Sequence, residues 1–258
     1  MKEYDPYDSM VPIYIKTDVP KRIKQIGTGV FIDMYNEPFL LTAAHVTDDL
    51  KNGELLVPTL HGLSPIEGYM AHIDLPPETP RSKDYTDIAY YRLETNFART
   101  LCHQFWPFPQ NRTELIMSAH DISVYSITGY PASKSKKNRE GSHTSEIFSY
   151  RGVVASDEIY EKYGLDPENN IVVNFSKKRS MKPDTGEMYL PSNPSGASGG
   201  AIFGWPNGYE LSEDWSLPKL VGIFHTFKEK EGIMIGTPLI SIVSAISLGK
   251  MKGYGGVT

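Results

Sequence analysis

"PSNPSGASGGAIFGW", residues 191–205, sets one serine among residues with almost no side chain. Its centre is Gly196-Ala197-Ser198-Gly199-Gly200. Two arrangements expose a lone hydroxyl in this way. One is a strained strand-to-helix elbow, G-x-S-x-G, which these residues satisfy. The other is a loop whose glycine, two before the serine, presents its backbone N–H. A plain glycine-rich turn is the third reading. The residues just after the motif separate the folds. Ala201-Ile202-Phe203-Gly204-Trp205-Pro206 does not start a helix, because glycine and proline follow within six residues. The elbow therefore lacks its helix.

Outward from this stretch the chain is written in short apolar runs. Ile26–Asp33 and Phe39–Val46 flank the turn Tyr35-Asn36-Glu37-Pro38 and predict a hairpin. Ile88–Leu93, Ile122–Pro131, Ile147–Ala155, Ile171–Ser176, Lys219–His225 and Gly232–Ile235 read as further strands. Residues 51–85 read as short strands and loops, and residues 97–114 as a crossing between halves. Residues 1–20, with Pro6, Pro12 and Pro20, read as irregular. Only Pro238–Leu248 has helical spacing, with Leu239, Ile240, Val243, Ile246 and Leu248 apolar. This pattern predicts an all-β barrel or sandwich. An α/β-hydrolase needs long helices between its strands, and none is evident.

Composition bounds the function. The chain has 258 residues, 40% hydrophobic and 22% charged, as a folded globular protein does. A net charge of −5 argues against binding nucleic acid through bulk charge. The basic run within Ser133–Arg139 reads as a solvated loop. No apolar run approaches the ~18 residues of a membrane span. The start, MKEYDPYDSMVPIYIK, is acidic where a secretion signal is basic and then apolar. Cys102 is the single cysteine, so no internal disulfide forms. A cytoplasmic location is the expectation. The 7 histidines show no ligand-like spacing, so neither a metal nor another cofactor is expected.

A serine hydroxyl is a poor nucleophile until a base takes its proton. The base is usually a histidine held by a buried carboxylate. Thr42-Ala43-Ala44-His45-Val46 places a histidine beside two small residues at a strand end. Asp87-Ile88-Ala89-Tyr90-Tyr91-Arg92-Leu93 places an acid at the mouth of an apolar strand. Asp87 lies 42 residues after His45, and Ser198 lies 111 residues after Asp87. Rival acids are Asp48, Asp49 and Asp84, and rival bases His61 and His72, none in a comparable strand context. Taken in order, the histidine, aspartate and serine segments resemble those of the chymotrypsin-like (trypsin-fold) serine proteases over roughly residues 24–240. The low cysteine content is similar to that of bacterial-type members.

The resemblance implies two Greek-key β-barrels with a short C-terminal helix. An N-terminal extension would occupy residues 1–20 and a barrel with His45 and Asp87 residues 21–110. A barrel with Ser198 would occupy residues 111–258, with its helix at about 238–248. It further implies a catalytic triad of His45, Asp87 and Ser198, with Gly196 and Ser198 N–H groups as the oxyanion hole. Substrate would lie against His225, Thr226 and Phe227, and Ser192 would sit at the floor of the primary pocket. Glu187 is the nearby acid that could reach that pocket, and the His225 side chain would stand near its wall. Ala197 stands where digestive members carry an aspartate, so activation by a freed N-terminus is not implied. Activation would come instead from ordering loops such as 131–149 or 176–195, and a regulatory protein partner is a separate expectation. The implied activity is endopeptidase cleavage of a protein or peptide through an acyl-enzyme. An intracellular effector role, such as antiphage defence, extends it by analogy. An inactive binding module on this fold, or an esterase using the same triad, are the alternatives.

Overall fold

The computed structural model describes residues 5–18, 21–72, 79–132, 135–137, 143–176, 180–181 and 188–249. Glu187 and most of the basic run at 133–139 lie outside the described residues. The first sheet holds β1 (Met10–Asp18), β2 (Lys21–Met34), β3 (Glu37–Ala43), β4 (Gly53–Thr59), β5 (Gly62–Pro65), β6 (Gly68–His72) and β7 (Ile88–Leu93). Their order is β5-β4-β1-β2-β3-β7-β6, and the short β8 (Phe108–Pro109) pairs with β2. The second half carries β9 (Val124–Gly129), the hairpin β10 (Ser135–Lys137) and β11 (His143–Ser145), β12 (Phe148–Val153) and β13 (Ile171–Asn174). It continues with the pair β14 (Ser180–Met181) and β15 (Met188–Tyr189), then β16 (Ala201–Gly204), β17 (Lys219–Lys228) and β18 (Ile233–Pro238). The second sheet runs β12-β9-β16-β17-β18-β13. Apart from β8, which runs parallel to β2, both sheets are antiparallel and curled, and together they form the chymotrypsin-like double β-barrel. Helices are short: α1 (Ala44–Thr47), α2 (Thr95–Leu101), α3 (Asp157–Tyr163) and the terminal α4 (Leu239–Gly249). No described helix is long and apolar enough to cross a membrane.

Burial on both faces of a strand explains the unbroken apolar runs. On β2, Phe31 faces the first barrel's interior beside Val11, Ile13, Leu40 and Leu55. Val30 and Ile32, on the other face, pack with Phe39, Phe203, Leu220 and Ile242. That layer joins the barrels and is closed by Leu239, Ile242 and Ile246 of α4. The second interior contains Tyr125, Ile127, Val172, Ile202 and Ile235. Tyr35 and Asn36 form the two-residue β2–β3 turn at φ 57° and 61°, the left-handed values a tight hairpin turn needs.

Two expectations are corrected. Residues 10–18 are not irregular: β1 lies between β2 and β4, with Val11, Ile13 and Ile15 turned into the first interior. Pro12 interrupts the apparent pattern but is accommodated opposite Thr28. Helix is also not confined to the end. α3 begins with Asp157 and Glu158 and stops at Gly164, left-handed at φ 61°, so its dipole and cap are satisfied locally.

Candidate active site

His45 sits where β3 turns sharply into α1. Ala43 and Ala44 are both fully enclosed there, so larger side chains have no room. Asp87 grips the same turn three times. Its carbonyl accepts from the Ala44 N–H at 3.1 Å. Its Oδ1 accepts from the His45 N–H at 2.9 Å, and its Oδ2 pairs with His45 Nδ1 at 2.7 Å. Nε2 of His45 is left to face outward on a ring that is 36% exposed. Asp87 holds a positive φ of 26°, a rare backbone state for a residue with a side chain. Burial pushes its carboxyl pKa up, but the hydrogen bond and charge of His45 outweigh that and hold it below the ordinary carboxylate value. Upstream, Arg81 clasps Asp48 with two nitrogens at 2.9 and 3.0 Å and reaches Asp84 at 2.8 Å. That clasp ties the segment before Asp87 to the one after His45.

Ser198 arrives from the second barrel. Its carbonyl accepts the Thr28 N–H at 2.8 Å, and Gly199 N–H donates to the Phe224 carbonyl at 2.7 Å. Gly199 has φ +87°, and a Cβ there would run into the Thr28 carbonyl, so only glycine fits. Gly196 has φ +90° and lies against Ala132. Neither the Gly196 nor the Ser198 N–H has an acceptor among the described residues. The Ser198 hydroxyl donates to the His225 carbonyl at 2.9 Å, not to His45.

His225 joins the pieces. The β17–β18 register slips between Phe224 and Thr226, which makes His225 the extra residue of a bulge. A bulge re-aims its side chain. The ring is fully buried and lies behind Asp87, with Nδ1 3.8 Å from Oδ2 and 2.9 Å from Thr226 Oγ1. Its buried Nε2 meets no well-aligned acceptor among the described residues. The His225 ring is therefore not on a pocket wall; only its carbonyl faces the serine. The Phe227 ring packs edge-on against Phe175, 5.0 Å between centroids. Ser192 is half-buried, and no hydrogen bond among the described residues ties it to His45, Asp87 or Ser198. Asn193 Oδ1 accepts from Ser195 N–H and Oγ at 2.9 and 2.7 Å, stiffening the approach to Gly196.

Burial pushes the His225 pKa down from 6.5 to about 4, with Asp87 opposing. A histidine with a lowered folded pKa stays neutral while the unfolded chain takes up a proton. Its contribution is present above pH ~6.5 and lost as pH falls toward 4, roughly 3 kcal/mol in all. Asp87 contributes with the opposite chemistry and in a lower window, as pH falls through the carboxylate range. Melting temperatures measured from pH 7 to 4 on a Ser198→Ala background test this. The slope should flatten in Ser198→Ala/His225→Asn; an unchanged slope assigns the acid sensitivity to other groups.

No protein-family model and no curated sequence matches this chain. Solved structures do. Neuropsin, a serine protease of mouse brain, aligns at TM-score 0.56 and 14% identity, over 96% of this chain and 98% of that one. The serine protease domain of the Sesbania mosaic virus polyprotein aligns at 0.50 and 16%, over 93% and 92%. A structure concerning the coupled folding and binding of that virus's VPg protein aligns at 0.52 and 17%, over 94% and 91%. The class they define is the chymotrypsin-like fold. These viral and mammalian likenesses do not select a bacterial-type branch.

Proposed function

We propose that the chain is a serine endopeptidase. The observation that carries it is the Asp87 carboxylate on both the ring and backbone of His45, with the Ser198 hydroxyl on the carbonyl of His225, whose ring lies 3.8 Å from the same carboxylate. Ser198 attacks a peptide carbonyl as His45 Nε2 takes its proton. Asp87 keeps the Nδ1 proton in place and stabilises the imidazolium. The Gly196 and Ser198 N–H groups receive the developing oxyanion, each worth ~3 kcal/mol. The leaving amine takes the proton back from His45, and water repeats the sequence on the acyl-enzyme. Substrate adds as a strand along Thr226–Lys228, where β17 pairs with β18 but has run past the end of β16. The two N–H donors left open at the oxyanion site argue against an inactive binding module. The cysteine-poor, bacterial-type branch, the cytoplasmic setting, a division between the two barrels near residue 110 and an effector role in phage defence belong to this proposal through the family resemblance.

Specificity follows from the approach to Gly196. Ser192, Asn193, Pro194 and Ser195 carry no charge. A substrate Lys or Arg entering there would lose its water without meeting a carboxylate, a cost of several kcal/mol. The buried His225 ring offers no cation to a substrate acid either. A small or apolar residue before the scissile bond is the expected preference. Kinetics on a peptide library varied at that position test both function and preference. A strong preference for Arg or Lys would show an acid reaching in from elsewhere, and no cleavage of any member would count against the endopeptidase.

A further inference from the structure

The Ser195–Gly196 peptide is one plane, with the Ser195 carbonyl and the Gly196 N–H pointing opposite ways. Whatever holds that carbonyl therefore aims that N–H. The holder is Ala132, whose N–H donates to the Ser195 carbonyl at 3.1 Å. Ala132 lies two residues after Tyr130, joined to it through Pro131, and Tyr130 is pinned at both ends of its backbone. Its N–H donates to Thr28 Oγ1 at 2.7 Å, and its carbonyl accepts from Gln25 Nε2. Gln25 and Thr28 both lie on β2 of the first barrel. Gln25 is only 2% exposed, an unusual place for an amide unless its groups are satisfied. They are: Oε1 accepts from Ser145 Oγ of β11, which also meets Tyr14 OH at 3.1 Å. The Tyr130 carbonyl can only accept, so it takes the NH₂ end of the amide and leaves Oε1 to the Ser145 hydroxyl.

We propose that Gln25 is a positioning residue for the oxyanion site. It acts through Tyr130, Ala132 and the Ser195 carbonyl on the direction of the Gly196 N–H. The hydrogen bonds run from one barrel to the other and end on a group that has no acceptor among the described residues. Such a chain supplies, from inside the fold, an anchor for the oxyanion loop that does not involve Ala197 or a freed N-terminus. It also connects the base of the β10–β11 hairpin, through Ser145, to the same N–H. This inference rests on the endopeptidase proposal for its catalytic meaning, but not for its geometry.

Gln25→Met keeps length and volume and removes both hydrogen bonds, so it is the direct test. On a cleaved peptide, kcat should fall about 30-fold with KM within about 2-fold, because the oxyanion contact forms only in the transition state. Affinity for a peptidyl trifluoromethyl ketone, whose adduct carries the oxyanion, should fall by a similar factor. Ser145→Ala leaves Gln25 Nε2 in place and should lose less. A second readout needs no activity: backbone amides of residues 195–200 should exchange faster with deuterium in Gln25→Met, at a temperature well below melting. A lowered melting temperature with unchanged kcat and unchanged exchange would make Gln25 a structural residue only and overturn the proposal. If the parent cleaves nothing, the exchange measurement alone decides, since faster exchange supports the anchor and equal exchange removes it.

Discussion

Replacing Ser198 with alanine should lower turnover of a cleavable peptide by ~10⁶-fold while the protein stays folded. The chemistry sets the size of the loss. Without the hydroxyl no acyl-enzyme forms, and only substrate positioning and the Gly196 and Ser198 N–H groups remain to assist water. The fold is spared because the change removes one oxygen, whose hydrogen bond goes to the His225 carbonyl at 2.9 Å. An ordinary hydrogen bond at a half-buried site is worth about 1 kcal/mol, so melting should shift by a few degrees at most. His45→Ala should fall to a similar residual rate, and the double variant should be no worse than either, since the two act as one unit. A fluorophosphonate should label the parent at Ser198 and label neither variant. Label on another serine, or turnover in Ser198→Ala within 10²-fold of the parent, would remove Ser198 as the nucleophile.

Parts of this arrangement are written locally, and those parts were legible. Ala43 and Ala44 beside His45, and glycines at 196, 199 and 200, are demands of close backbone approach that the sequence states directly. The strands of the interface were legible as well, since two buried faces leave an apolar run such as Phe39–Leu41 unbroken. What was not legible depends on pairing. β1 carries prolines on both sides and becomes a strand only because β2 and β4 flank it. A bulge is a property of two strands, so no pattern within Lys219–Lys228 could say that His225 turns its ring onto Asp87 rather than toward a substrate. Gln25 is equally silent in sequence. One polar residue near the start of an apolar strand gives no sign that both its amide groups find partners more than 100 residues away.

Asp87→Asn isolates the role of the carboxylate, because the amide has the same shape and asparagine accepts the left-handed backbone that Asp87 occupies at φ 26°. The carboxylate accepts from two donors, the His45 N–H at 2.9 Å and the ring Nδ1 at 2.7 Å. An amide has one oxygen and one NH₂ and cannot accept from both. If its oxygen keeps the backbone N–H, its NH₂ faces Nδ1. The ring must then present a lone pair there and carry its proton on Nε2, where the serine proton has to go. If the amide turns over, two donors face each other in a buried turn, which costs about 1–3 kcal/mol and leaves the His45 backbone without its partner. The first state is the cheaper one, so the variant should fold, hold His45 in place and present the wrong tautomer. The expected loss in kcat is ~10⁴-fold at neutral pH with little change in KM. Fluorophosphonate labelling should slow by a comparable factor, since it needs the same proton transfer. The His45 ring nitrogens in ¹⁵N spectra should report the exchange of tautomers directly. A variant within tenfold of the parent, or one whose His45 still carries its proton on Nδ1, would mean that Asp87 only builds the turn.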